Sequence, residues 1–146
     1  LALEKSKLEK NYKVIFCDCI FITVRRDNSY SREAVYIAYG VREDNRRELL
    51  ILDINPTESA NVWGELFDDL KNKRGVENVD LVVADGIVGL EDEAHRTFGE
   101  KVKFQKCAVH KMRNILTKTR PKDKSDMAED LKEIFDNFSS YIYSLL

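Results

Sequence analysis

Residues 14–24 read VIFCDCIFITV, and ten of the eleven are apolar, sulfur-bearing or β-branched; the exception is Asp18, near the centre. A run this long and this rich in Val, Ile and Phe predicts a strand buried on both faces, as at the middle of an α/β sheet. Period two puts Asp18 on the face of Phe16 and Ile20, which offer it no hydrogen bond. A carboxylate left unpaired in such a place costs several kcal/mol or takes up a proton. Two readings stay open for it. Either backbone amides cap it, or Arg25 or Arg26 pairs with it, near a sheet end; or it is a metal ligand.

With 146 residues, 43% of them apolar, the chain has the material for one globular domain with a real core. Its longest apolar run is too short to cross a bilayer, and the start LALEKSKLEK lacks the order of a signal peptide, so a cytoplasmic protein without membrane contact is expected. Cys17 and Cys19 project from one face of the same strand and, with Cys107, make an odd number; reduced thiols are expected, not a disulfide framework. A net charge of −2 means that nucleic acid would have to be met by a local basic patch.

Taken in order, residues 1–11 form a polar leader or boundary segment with Leu1, Leu3 and Leu8. After the first strand come a polar turn at 25–32, an alternating strand at 34–41, a turn at 42–46 and a strand at 48–54, which predict an antiparallel meander. At Pro56-Thr57-Glu58-Ser59 the period changes. Thr57 or Ser59 can cap a helix whose apolar stripe is Trp63, Leu66, Phe67 and Leu70, with Gly75 as its stop, and Trp63 reads as core. Residues 79–84 (VDLVVA) form a second buried strand ending in Asp85-Gly86, a carboxylate beside a glycine at a strand's carboxyl end, where open α/β sheets keep their chemistry. A short helix follows with Leu90, Ala94 and Phe98, closed by Gly99, with His95 at its surface. A last strand spans 101–105, and from Lys106 a helix carries Cys107, His110, Arg113 and Asn114. Beyond Arg120-Pro121 another helix brings Met127, Leu131, Ile134, Phe135 and Phe138 to one face, and apolar residues continue through Tyr141 to Leu146.

Two carboxylates on neighbouring buried strands, Asp18 and Asp85, suit a shared divalent cation, and hard oxygen ligands favour magnesium or manganese. Such ions in pairs clamp an in-line phosphoryl displacement. Cys107 and His110 form a Cys-x-x-His pair. Structural zinc would need four ligands, with Cys17 and Cys19 the other choices; otherwise His110 lies near the active site, or is a helix histidine bonded to a backbone carbonyl. Between Lys101 and Lys124 stand nine basic residues against the single acid Asp123, a balance that suits a phosphate backbone, with Lys106, Lys111 and Arg113 the expected DNA contacts. Ile20 stands where an aspartyl-phosphate enzyme needs a second aspartate, and no Gly-rich phosphate loop is present.

Several of these segments, in this order, resemble the catalytic domain of Mutator-type transposases of bacterial insertion sequences: 12–25 around Asp18, 35–56 (VYIAYGVREDNRRELLILDINP), Thr57-Glu58-Ser59 with Trp63, 82–90 (VVADGIVGL) and 105–116 (QKCAVHKMRNIL). The resemblance implies a ribonuclease-H-like fold, a mixed five-stranded sheet of three antiparallel and two parallel strands with flanking helices. It implies a partial catalytic domain over 12–119 and the start of a helical insertion at 120–146. Asp18 and Asp85 match the first two acids of an Asp-Asp-Glu triad. The third has no counterpart here, since Glu129 and Glu133 sit on an ordinary polar helix face, so these 146 residues are expected to be inactive alone. Implied too are metal-dependent cleavage and strand transfer at transposon ends, with two magnesium or manganese ions in the complete enzyme, His110 at the site, and a homo-oligomer working on DNA. The alternative is a non-catalytic remnant that binds DNA or a protein partner through the basic helix and the surface at 135–141.

Overall fold

The computed structural model describes residues 7–26 and 28–145, with the side chains of Arg26 and 138–145 outside that description. Expectations for Leu1 and Leu3, for Arg26 as a partner of Asp18, and for the side chains of Phe138 and 141–146 lie outside the described residues. Two compact units divide the chain, residues 1–105 and 106–146. In the first, β1 (Asn11–Arg26), β2 (Ser29–Arg42) and β3 (Arg47–Asn55) precede α1 (Ala60–Asn72), β4 (Asn78–Ala84) and α2 (Leu90–Phe98); β5 (Lys103–Lys106) ends at the boundary. The five strands lie in the order β3-β2-β1-β4-β5. β1, β2 and β3 pair antiparallel, and β4 joins β1 in parallel. This is the ribonuclease-H-like arrangement that the resemblance implied.

The core lies between the sheet and the α1 and α2 helices. Tyr12, Ile15, Tyr36 and Ala38 from the strands meet Trp63, Phe67 and Leu70 of α1 and Leu90 and Ala94 of α2, all at most 1% exposed. The helical stripe read from the sequence is therefore the face that α1 buries, and Trp63 is core. Its ring stands edge-on to Tyr36, with centroids 4.9 Å apart. Ser59 is the cap, its hydroxyl accepting from the Val62 N–H at 3.2 Å. Arg96 of α2 ties the two helices by donating to both oxygens of Asp68, at 2.8 and 3.1 Å, which holds that carboxyl below its usual range. His95, expected at the surface, is half-buried, with Nε2 3.0 Å from the Val102 carbonyl.

Two expectations for the first hairpin need correction. The segment at 25–32 is not an extended turn, because pairing continues from Thr23 beside Arg32 to Arg26 beside Ser29. Nor is β1 buried on both faces along its length. Ile15 and Cys17 are 0% and 5% exposed, but Ile20, Phe21 and Ile22 are 46%, 44% and 37% exposed, and Asp18 is exposed. The reason is the reach of β4, whose pairing with β1 ends at Phe16, whereas β1 runs ten residues farther as a ribbon with β2. Apolar content alone cannot tell a covered strand from one that outlasts its neighbours.

In the second unit, α3 (Ala108–Lys118) is followed by a single 3-10 turn (Pro121–Asp123) and α4 (Lys124–Leu145). Ala108, Met112 and Leu116 of α3 recur every fourth residue and are half-buried, while Leu131 of α4 is buried and Ile134 is 59% exposed. Among the described residues, no helix is long and apolar enough to cross a membrane.

Candidate active site

β1 and β4 keep one register from Asn11 beside Asn78 to Phe16 beside Val83. Asp18 and Asp85 each lie two residues past that last shared rung. Period two leaves both at the same step of adjacent strands, which in sheets run about 4.8 Å apart. Register thus places the two acids as neighbours.

Their local settings match. Asp18 Oδ1 accepts from the Cys19 N–H at 2.9 Å, and Asp85 Oδ1 accepts from the Gly86 N–H at 2.7 Å. Capping by a backbone amide, one of the readings left open for Asp18, is therefore realised at one oxygen. Because Asp18 is exposed, the argument from an uncompensated buried charge no longer applies to it. What calls for a cation is the second carboxylate alongside.

Both aspartates border a small cleft together with Cys17, Cys19, Glu58 and Trp63. Its open volume of about 10 Å³ has room for one water. Burial pushes the Cys19 thiol up to about 12, and the negative charges of Glu58 and Asp18 act in the same direction. Full burial, with a smaller push from Asp18, raises Cys17 further. Both thiols therefore stay protonated at neutral pH, and all three cysteines are free. Among the described residues, no three His, Cys, Asp or Glu side chains are grouped closely enough to hold a metal ion by themselves. An ion at this cleft would have two aspartates as protein ligands and water for the rest, a donor set that suits magnesium.

Glu58 is the carboxylate that sequence reasoning missed. It was legible only as part of the run before a helix, where an acid is ordinary because it favours the helix dipole. Its backbone is held from both sides by the buried Tyr36, whose hydroxyl donates to the Thr57 carbonyl at 2.8 Å and accepts from the Ser59 N–H at 2.9 Å. A larger hollow of about 270 Å³ lies elsewhere, among Glu9, Lys10, Asn11, Arg42, Glu43 and Asp44. The ion pair of Arg42 and Glu9, at 2.7 Å, crosses this second hollow.

The other expected site residues belong to the second unit or its edge. Cys107 occupies the N-cap position of α3, and His110, three residues on, is half-buried. Lys106, Lys111 and Arg113 are exposed. Of the nine basic residues in this stretch, Arg120 has its charge met locally, donating to Asp123 at 2.7 Å.

Fold and cleft together define an α/β domain of ribonuclease-H-like topology with a pair of aspartates at adjacent strands. The sequence places it more narrowly. Residues 2–140 match the family described as transposase, Mutator family, and the chain belongs to that family. It is 36% identical over 133 residues to the transposase for insertion sequence element IS1201 of Lactobacillus helveticus, covering 91% of this chain and 35% of that protein. Similar matches are the transposase for IS905 of Lactococcus lactis, at 34% over 88% of this chain and 32% of that protein, and the transposase for IS256 in transposon Tn4001 of Staphylococcus aureus, at 35% over 87% and 32%. The chain thus spans about a third of the length of the curated relatives it matches. By shape it is similar, at a TM-score of 0.39 and 9% identity, to a chain of the simian T-cell lymphotropic virus intasome complex with PP2A regulatory subunit B56 gamma, over 85% of this chain and 49% of that one.

Proposed function

We propose that this chain is the part of a DNA transposase catalytic domain that supplies two of the acids for cleaving and joining phosphodiester bonds at transposon ends. One observation carries the reading: Asp18 and Asp85 stand at the same step past the end of the β1 and β4 pairing and border one cleft. Membership of the Mutator family and similarity to named insertion sequence transposases support it.

In this reading Asp18 and Asp85 hold magnesium or manganese. A bound ion would neutralise charge on the phosphate and make the attacking hydroxyl or water a better nucleophile. The aspartates keep their orientation through the Cys19 and Gly86 amides, each of which fixes one carboxylate oxygen. Lys106, Lys111 and Arg113 contact the DNA backbone, and a contact of this kind weakens with salt. His110 works beside the scissile phosphate, and the third acid of the triad comes from sequence outside these 146 residues. The working enzyme is a homo-oligomer on transposon-end and target DNA.

The test is strand transfer by the full-length protein carrying Asp18→Asn or Asp85→Asn. Each substitution should lower the rate on the order of 10³-fold, since the ion supplies several kcal/mol of transition-state stabilisation. The melting temperature should stay near that of the parent, because Asp18 and Asp85 are exposed. Retained strand transfer in either variant overturns the proposal.

A further inference from the structure

The geometry points to Glu58 as a positioning residue of the Asp18 and Asp85 site: a third carboxylate that acts on a divalent cation held by the two aspartates through water in the shared cleft. The inference rests on the metal-dependent reading above and adds a residue to it.

Three observations carry it. Glu58 borders the cleft with both aspartates although it comes from a different part of the fold, the segment between β3 and α1. That segment is fixed, because the buried Tyr36 hydroxyl bonds the backbone on either side of Glu58 and Ser59 caps the helix that follows. An acid on so constrained a backbone keeps its place in the cleft at little cost in entropy.

Trp63 supplies the independent sign of a ligand. It borders the same cleft, is 1% exposed, and its buried Nε1–H has no hydrogen-bond partner among the described residues. A buried N–H normally finds an acceptor, and leaving one unsatisfied costs about 1–3 kcal/mol. The cleft has room for one water. A water there can accept from Trp63 and donate to Glu58, so the indole and the carboxylate together would orient it toward the aspartates. Hydrated magnesium or manganese is held in this way, by few direct carboxylates and an outer set of acceptors for its waters.

Trp63 is the sole tryptophan of the chain, so it also reports on the cleft. Manganese chloride is titrated into the 146-residue chain and the quenching of Trp63 fluorescence is followed, with circular dichroism melts as the check on folding. The parent chain should show saturable quenching that Asp18→Asn and Asp85→Asn each abolish. Glu58→Gln should move the midpoint to roughly 10- to 100-fold higher manganese, the usual loss when an outer partner of a metal site is removed. Glu58→Asp, which keeps the charge, should recover most of that loss. Glu65→Gln, at an exposed acid of α1, should leave the midpoint unchanged. A parent midpoint in a folded Glu58→Gln variant, with Asp18→Asn still abolishing quenching, overturns the role of Glu58 and leaves the two-aspartate reading standing. Quenching that is absent in the parent, or indifferent to both aspartates, overturns that reading and Glu58 with it.

Discussion

The two halves of β1 have nearly the same apolar content and opposite surroundings. From Asn11 to Phe16 the strand is flanked by β2 on one side and β4 on the other, with Ile15 completely buried. From Asp18 to Arg26 it pairs with β2 alone, and Ile20, Phe21 and Ile22 are 37–46% exposed. Asp18 sits just past the change. A carboxylate there keeps contact with water and its ionised form, yet stands beside the end of β4 and its own acid, Asp85. What the difference teaches is that one strand can serve as core and as site, with the boundary set by where its neighbour stops.

The largest expected effect that would break this comparison is in stability. Ile15→Ala should cost about 2–4 kcal/mol in urea denaturation, as for a fully buried side chain that leaves a cavity. Ile22→Ala should cost less than about 1 kcal/mol, as for a surface position. Equal costs would mean that the second half of β1 is as well packed as the first.

Gly40 sharpens the picture of the buried half. It pairs with Ile15, and a Cβ added there would meet the Tyr12 ring and come within 2.9 Å of Leu50 Cδ1. Gly40→Ala should therefore destabilise by about 1–3 kcal/mol through overpacking, measured in the same way. A neutral or stabilising result would show that Tyr12 has room to move.

The smallest effect is a pH dependence at the boundary. Cys19 is raised from 9.0 to about 12, so the folded state keeps a thiol proton that the unfolded chain loses near pH 9. Stability from this group is complete below that pH and declines as pH rises from 9.0 toward about 12. Cys17, Tyr12 and Tyr36 are raised too and act in the same direction. Cys19→Ser should therefore reduce, and not remove, the loss of stability between about pH 8 and pH 10. An unchanged slope would place Cys19 in contact with solvent.

Much of the fold was legible because it depends on local pattern. Alternation marked β2 and β3, the i, i+3, i+4, i+7 stripe marked α1 and its core tryptophan, and Gly99 marked the end of α2, where φ is +98°. Half of the cleft was legible too. Asp18 stood out as the lone charge in an apolar run, and Asp85 as an acid before a glycine at a strand end. Glu58 was not, since an acid ahead of an N-cap has an everyday explanation in the helix dipole, and only Tyr36, twenty-two residues earlier in the chain, holds it at the cleft. The length of β1 was misjudged for a related reason. Its polar residues 25–32 look like a turn until their pairing across the hairpin is known.

By itself, then, the sequence determined which segments become strands and helices, which side of α1 is buried, and which two aspartates are out of place in their surroundings. These follow from periodicity and from the cost of burying charge, which act over a few residues. Tertiary structure alone decided that β4 ends two residues short of Asp18, that the acid is therefore exposed, and that Glu58 and Trp63 share its cleft. Strand register and the meeting of distant segments depend on pairings far apart in the chain, and no local run of residues encodes them.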